Sequence, residues 1–292
     1  MDKLTVVITG ANGFIGSYLV DYFLTRGWQV RALMRTPRLE PRPGLSVESF
    51  DLASPKLFPD LTGCDALIHC AYVKKQSDDH AGNINLDSTR HLYELAKGAG
   101  VKKFIFFSSL SAHAQAVSEY GKTKLAIEKL LDPHKDLILK PGLVLGHGGL
   151  FGSILSMIRS LPILPLVDGG SQPLQAVDIE DLAKCVEVGI HKDISGIHTL
   201  IADNDFTLRD MAELIRKRLK RKMFFLSLPY GLVNFGFTLT EALRIPLPVS
   251  KENLLGLKQN IRWEPGDVLR VFGVQPRSYL KTIERLIKQP AK

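Results

Sequence analysis

The sequence predicts an α/β fold, a doubly wound parallel sheet followed by a smaller C-terminal part. Three observations carry that prediction. Short apolar runs rich in β-branched and aromatic residues recur between Leu4 and Lys140. Segments with apolar positions at helical spacing separate them. The first run ends in a glycine-rich turn that leads straight into a helical pattern.

Taken in order, Leu4-Thr5-Val6-Val7-Ile8 reads as a buried parallel strand. Phe14 to Arg26 reads as a helix closed by Gly27. Trp28 to Leu33 is a second strand, which completes a right-handed βαβ unit. A strand over Asp65 to Ala71 follows, then a helix over Asn85 to Ala99 with Gly100 near its end. Phe104 to Phe107 is a strand running into Ser108-Ser109, and Ser118 to Leu131 is a helix. Leu137 to Lys140 is a strand broken by Pro141-Gly142. Between Gly146 and Pro173 glycines and prolines become frequent and the pattern loosens. Asp178 to Val188 and Thr207 to Leu219 read as helices, the second with Thr207 as its N-cap. The expected division is a sheet domain over 1–190 and a smaller, mostly helical substrate-binding part over 191–292, interleaved with the sheet.

Hydrophobic residues make up 45% of the 292 positions and charged residues 23%, a globular balance that argues against disorder. Cys64, Cys70 and Cys185 are too few and too irregularly spaced for a disulfide framework or a zinc site. No His/Cys/Asp constellation has metal-ligand spacing, so no metal is expected. Free thiols fit a reducing cytoplasm. The apolar stretch at the start is five residues long, and a glycine turn follows at once, so no signal peptide is expected.

The turn after the first strand is Thr9-Gly10-Ala11-Asn12-Gly13-Phe14-Ile15-Gly16. Gly10 allows the tight turn. Gly13 lets backbone approach a pyrophosphate, and Gly16 lets the helix pack close to the strand. The helix N-terminus then offers free N–H groups and a positive dipole end. Strand, glycines and helix in this order mark a dinucleotide site of the Rossmann type, with Gly10, Asn12, Gly13, Phe14, Ile15 and Gly16 as candidate contacts. The competing reading is a glycine turn without a ligand. An NAD site normally carries Asp or Glu at the end of the second strand. Here Val30-Arg31-Ala32-Leu33-Met34-Arg35 stands there, followed by Arg38. A guanidinium, with Arg35 the candidate, would pair with a 2′-phosphate, so NADP(H) is favoured over NAD(H). The competing reading is a solvated basic loop. Asp51-Leu52 falls where an adenine ring could be contacted.

Tyr120-Gly121-Lys122-Thr123-Lys124 puts a tyrosine and a lysine four apart on one face of a predicted helix. A free tyrosine, with a pKa near 10, is a poor acid–base at neutral pH. A nearby ammonium would lower that value. His69, within a strand, reads as a satisfied core histidine. His113, in the loop before Tyr120, is a candidate for substrate contact.

These motifs resemble the short-chain dehydrogenase/reductase superfamily, in its extended and atypical branches. Those branches include nucleotide-sugar epimerases and dehydratases, dihydroflavonol-type reductases and the accessory-subunit group of respiratory complex I. The resemblance covers roughly the first 190 residues. It rests on Thr9-Gly10-x-x-Gly13-x-x-Gly16, Asp51-Leu52, Leu67-Ile68-His69-Cys70-Ala71, Asn85, Phe107-Ser108-Ser109, Tyr120-x-x-x-Lys124, Lys140-Pro141-Gly142 and Val177-Asp178-x-x-Asp181. It implies that Tyr120 is the acid–base and that Lys124 also holds the nicotinamide ribose. It implies further cofactor contacts at Cys70, Ala71 and Tyr72, at Ser108, and at Pro141, Gly142, Leu143 and Val144. One departure stands out. The family serine usually follows the pair matching Ser108-Ser109, and Leu110 is there instead. Ser109 or Ser111 would have to orient the substrate oxygen. Loss of that donor costs a factor of about 10² in rate. The loop between Ser111 and Tyr120 is short, which counts against a nucleotide-sugar substrate.

The expected function is therefore an NADP(H)-dependent oxidoreductase acting on a carbonyl or alcohol of a small molecule, with an apolar substrate in view. Two alternatives stay open. One is an NAD(P)-dependent epimerase or dehydratase. The other is a non-catalytic NADPH-binding redox sensor or assembly subunit.

The formal charge is +8, concentrated at Arg31 to Arg42 and at Arg216 to Lys222. The second cluster has six basic residues in seven, and Met223 to Thr240 follows without a charge. Pro229 and its polar neighbours argue against a membrane span. Two readings stay open for 216–240: a helix packed on the core with a solvated basic flank, or an amphipathic segment lying on an anionic membrane. Nucleic acid is not expected as a partner, because no recognition motif or interleaved aromatic pattern accompanies the charge.

Overall fold

The computed structural model describes residues 3–54, 58–73, 81–202, 206–234 and 261–289. In chain order the first elements are β1 (Thr5–Thr9), α1 (Phe14–Leu24), β2 (Gln29–Met34), β3 (Leu45–Ser49), β4 (Ala66–His69), α2 (Ala81–Gly98), β5 (Lys103–Phe107), α3 (Glu119–Glu128) and β6 (Leu137–Pro141). Then come β7 (Leu143–Leu145), α4 (Gly149–Ser160), β8 (Ile163–Val167), β9 (Ala176–Asp178), α5 (Ile179–His191), β10 (Gly196–Leu200), α6 (Leu208–Arg218), β11 (Phe224–Leu228), α7 (Asp267–Arg270) and α8 (Tyr279–Lys288). The chain divides into two compact units. Met1–Lys140 and Leu182–His198 form the first, Pro141–Asp181 and Thr199–Lys292 the second.

A seven-stranded sheet has the order β10-β6-β5-β4-β1-β2-β3, and its neighbours from β3 through β6 run parallel. Val6, Val7 and Ile8 of β1 are fully buried between β2 and β4. A strand covered on both faces needs an unbroken apolar run, which is why this one does not alternate. Val7, Leu33, Leu67, Phe104, Phe106 and Ile138 share one core cluster with Leu92 of α2. From β1 the chain steps outward through β2 and β3, and from β4 it steps the other way through β5 and β6. The order thus reverses between β1 and β4. Beyond the carboxyl ends of those two strands lies the crevice where such sheets bind ligands.

The doubly wound parallel sheet is as the sequence predicts. The strand β3 was not expected. It is five residues long and follows a proline-rich stretch, so its pattern is too short to read. The stretch that looked loose between Gly146 and Pro173 contains α4 and β8.

In the second unit β7 pairs with β9 and β8 with β11, each pair parallel. Phe151, Ile154, Ile158, Met211, Ile215, Ile283 and Leu286 from α4, α6 and α8 fill its core. Thr207 caps α6 as expected, and Asp210 completes a capping box with it. The segment expected to be helical from Met223 begins instead as strand β11, and helix follows from Tyr230 to Asn234. Pro229 explains the switch, since a proline is tolerated only at the start of a helix. The rest of that segment, 235–240, lies outside the described residues. Among the described residues no helix is long and apolar enough to cross a membrane.

Asp178 ties this unit together. Its fully buried carboxylate accepts from Arg277 Nη1 at 2.9 Å, Arg285 Nη2 at 2.8 Å, Thr282 Oγ1 at 2.7 Å and the Glu180 amide at 2.9 Å. Burial alone would raise its pKa. The bonds from Thr282, Glu180 and Arg285 outweigh that and hold the carboxyl below the usual range. The Arg277 amide donates to Asp181 Oδ2 at 2.7 Å, so both aspartates of the Val177-Asp178-x-x-Asp181 motif anchor the chain leading into α8.

Asp178→Asn would take the carboxylate from Arg285 and leave Arg277 with Glu180 alone. It should destabilise the second unit by about 3 kcal/mol, read from urea unfolding. Because the folded pKa is depressed, the stabilisation is intact above the unfolded value of about 4 and is lost as pH falls below it. The variant should be less sensitive to acid over that window than the parent chain.

Candidate active site

The end of β1 brings backbone against backbone. Gly10 has a φ of 65°, and a Cβ there would meet Ala71 Cα and N at 2.8 Å. A Cβ on Gly13 would lie 3.1 Å from the Gly10 carbonyl oxygen, and one on Gly16 would overlap that same oxygen. The Gly13 amide closes the turn by donating to Gly10 O at 2.8 Å. α1 then starts at Phe14 with no side-chain cap and no acidic residue in its first turn. Its free N–H groups and dipole end suit a pyrophosphate, and among the described residues no side chain caps them. Asn12 and Gly13 are exposed at this turn, Phe14 and Ile15 are half-buried, and Gly16 is buried. The residues present therefore fit a dinucleotide.

A buried relay holds the opposite lip. The Ala71 amide donates to Thr9 Oγ1 at 3.2 Å, and Thr9 Oγ1 lies 2.7 Å from His69 Nδ1. His69 Nε2 lies 3.0 Å from Thr89 Oγ1, which donates to the Asn85 carbonyl at 2.6 Å. The Thr89 end fixes the protons. Thr89 gives its only proton to a carbonyl and so accepts from Nε2–H, which leaves Nδ1 of the neutral ring to accept from the Thr9 hydroxyl. His69 is neutral, its pKa pushed down to about 3 by burial and then by Lys124. It is the core histidine the sequence suggests. The Asn85 amide clamps the same lip, accepting from Val73 N at 2.8 Å and donating to Val73 O at 2.9 Å.

At the end of β2 the basic residues separate by role. Arg31 forms a two-point pair with Glu48 and also reaches the Asp60 carbonyl. Arg42 pairs with Asp21. Arg35 is the first residue after β2 and is exposed, as is Arg38. Among the described residues no ion pair or hydrogen bond holds either guanidinium. Asp51 Oδ1 accepts from the Ala53 amide in a local turn, and Leu52 is buried with its carbonyl bound by Ser88.

The structure brings Ser109, Tyr120, Lys124 and Tyr72 together. Ser118 caps α3 by accepting from the Gly121 amide. Gly121 sits so close to Ser111 that a Cβ would overlap the Ser111 carbonyl oxygen. That contact seats the start of α3 on the 109–112 turn. Ser109 is hydrogen-bonded to Tyr120. Ser109 Oγ also accepts from the Ser111 amide at 3.2 Å. Of the two serines flanking Leu110, Ser109 is thus the one at the phenol. Tyr72 packs edge-on to Tyr120 with ring centres 5.0 Å apart. Lys124 is buried. Its Nζ donates to Phe107 O at 2.7 Å and lies over the rings of Phe106, Tyr72 and Tyr120 at 4.5, 5.0 and 5.8 Å.

The proton affinities differ from the sequence expectation. Tyr120 is raised to about 12 by burial and by Tyr72, against the Ser109 bond, so the phenol is neutral. The ammonium was expected to lower it, but desolvation wins at this distance. Lys124 is itself lowered to about 8 by burial, against Cys70 and Glu128. Cys70 is raised to about 12 by burial.

Ser108 takes another part. Its hydroxyl donates to Glu128, which pairs with Lys140 Nζ at 3.1 Å. Lys140 also donates to the Ala112 carbonyl. All three side chains are buried, so this network props the 108–112 turn from beneath. Sequence reasoning missed Glu128, Gly121 and the Thr9–Thr89 relay. Tyr120-Gly121 and Lys140-Pro141 were visible signals, whereas the partners are distant in sequence. His113 lies in the turn before α3, its carbonyl accepting from Ala116. In the second unit Gly142 lies against the Gln175 backbone with no room for a Cβ, and Leu143 and Val144 pair in β7 with Ala176 and Val177.

Gly10→Ala should place a side chain in both a positive-φ conformation and a backbone contact. A stability loss of about 2 kcal/mol and loss of measurable dinucleotide binding are expected from denaturation and titration calorimetry.

A model of the NAD dependent epimerase/dehydratase family matches residues 6–187. A ceramide reductase of Caulobacter vibrioides is 33% identical over 191 residues, 61% of this chain and 58% of that protein. The match thus spans little more than half of that relative. A photosystem II assembly factor, Ycf39 of Guillardia theta, is 24% identical over 94% of this chain and 90% of its own length. Among solved structures, an epimerase from Methanothermobacter thermautotrophicus superposes with a TM-score of 0.78 at 15% identity, covering 98% of this chain and 92% of that one. A UDP-galactose 4-epimerase superposes with a TM-score of 0.71 at 17% identity, covering 98% of each chain. The glycine turn, the His69 lip and the Tyr120–Lys124 pair lie within the matched span, and this chain belongs to the NAD-dependent epimerase/dehydratase family.

Proposed function

We propose that this protein is an NADP(H)-dependent oxidoreductase that reduces a carbonyl, or oxidises the matching alcohol, on an apolar small molecule. The observation that carries the reading is the neutral, half-buried Tyr120 phenol hydrogen-bonded to Ser109, with buried Lys124 fixed beside it. When bound, the nicotinamide supplies or accepts the hydride. Ser109 orients the substrate oxygen and stands in for the absent serine at Leu110. Tyr120, with its pKa near 12, is protonated at neutral pH and donates to that oxygen in the reducing direction. Lys124, tethered to Phe107 O, holds the ribose and carries the positive charge that eases loss of the phenolic proton.

Arg35 after β2, which has no ion-pair partner among the described residues, supports NADP(H) over NAD(H), because the sequence has an arginine there instead of the carboxylate that takes a ribose 2′-OH. Similarity to a ceramide reductase, a dihydroflavonol 4-reductase of Zea mays and a 3-beta-hydroxysteroid dehydrogenase of Mycolicibacterium neoaurum supports an apolar substrate and net hydride transfer, in one direction or the other, rather than epimerisation.

Tyr120→Phe should lower kcat by at least about 10³-fold while NADPH still binds, checked by stopped-flow turnover and fluorescence titration. Unchanged turnover would remove Tyr120 from the mechanism. In the parent chain reductive kcat/KM should be flat below about pH 8 and fall above it as Lys124 loses its proton.

Arg35→Ala combined with Arg38→Ala should raise the Kd for NADPH by about 10- to 100-fold and leave that for NADH unchanged. Equal effects on the two dinucleotides would count against recognition of the 2′-phosphate.

A further inference from the structure

We propose that the outer face of the β8–β11 ribbon, with the lysines that lead into it, is a docking surface for an anionic lipid bilayer. The register sets Phe224 beside Ile163 and Leu226 beside Pro165. Paired residues on neighbouring strands project to the same side, and alternate residues share a face. Leu164 and Leu166 point the other way and are buried in the core of their unit. The opposite face of a parallel pair is ordinarily covered as well. Here it presents Phe224 at 78% exposure, Leu226 at 49%, Ile163 at 47% and the exposed Pro165. Exposed Leu161 precedes β8 and exposed Leu232 follows β11. Single exposed apolar residues are ordinary, but a row of them on one short ribbon is not.

The charge at the entrance to β11 identifies the occupant. Arg216 is paired with Glu213 and Arg218 with Glu284. Among the described residues Lys217, Lys220 and Lys222 are exposed and belong to no ion pair. Three exposed ammonium groups beside an apolar row call for a partner that is anionic at its margin and apolar within. A nucleic acid would answer the lysines and leave Phe224, Leu226 and Ile163 in water. An anionic bilayer answers both. Aromatic and aliphatic side chains enter the headgroup boundary, and ammonium groups meet acidic headgroups. Asp168, after β8, already accepts from the Tyr230 amide.

The test uses the full chain with two sets of vesicles, phosphatidylcholine alone and phosphatidylcholine mixed with phosphatidylglycerol. The protein should sediment with the mixed vesicles, not with the neutral ones, and less so as salt is raised. Lys217→Glu, Lys220→Glu and Lys222→Glu together should lower the partition coefficient by roughly 100-fold. Phe224→Ser with Leu226→Ser should lower it by more than about tenfold. Both variants should keep the parent circular dichroism and NADPH affinity, which separates this surface from the redox site. The proposal is overturned if the parent chain fails to bind mixed vesicles at low salt, or binds neutral vesicles equally. Unaltered binding by either variant overturns it as well. A parent dimer that Phe224→Ser with Leu226→Ser converts to monomers would assign the face to contact between copies and overturn it too.

Discussion

Contact between bare backbones at the end of β1 is the constraint from which the candidate site follows. Gly10 touches Ala71, and Gly16 touches Gly10, at distances that exclude even one methyl group. The first contact draws β4's exit loop against β1's exit loop at the place where strand order reverses. The second draws α1 down onto the turn so that its N-terminus opens into the crevice. A helix end left without a side-chain cap or an acidic neighbour is costly in isolation, since the amides of its first turn lack partners. The arrangement makes sense as a half-site, in which an anionic ligand completes what the chain leaves open.

The cluster of Ser109, Tyr120 and Lys124 is built by a different device. Lys124 is fixed through a main-chain carbonyl and three ring faces, and the 108–112 turn is fixed through the Ser108–Glu128–Lys140 network. Charges buried this deeply are expensive unless every donor has a place to go. Each ammonium here ends on a backbone carbonyl, which locks the turn carrying Ser109 and the strand end carrying Phe107. The same desolvation that disfavours a phenolate at Tyr120 keeps the proton on the phenol.

Most of the sheet was legible because its strands are buried on both faces, and such strands announce themselves as runs like Val6-Val7-Ile8. The glycine turn was legible because each glycine answers to a separate steric need. What escaped was short or distant. Five residues at Leu45–Ser49 after a proline-rich stretch carry too few turns of pattern to separate strand from loop. α4 escaped because Gly149 and Gly152 dilute its apolar face, although Phe151, Ile154, Leu155 and Ile158 keep helical spacing. The choice between Ser109 and Ser111 needed the seat of Gly121 on Ser111, a contact across ten residues that no local pattern encodes. Asp178 stood inside a recognised motif, but its arginine partners lie about a hundred positions away. The shift in Tyr120 was misjudged because desolvation is a property of the folded surroundings and cannot be summed from neighbours in sequence.

The one-way run of protons from Ala71 to Asn85 has a consequence for how the crevice responds to its medium. An imidazole that gives and receives within such a chain has no lone pair left to gain a proton without evicting Thr9. Histidines usually make a fold sensitive to mild acidification. His69 does the reverse. Its low basicity lets the upper lip keep one shape from neutral conditions far into acid, so changes in ligand binding across that range must originate in the ligand or in other groups.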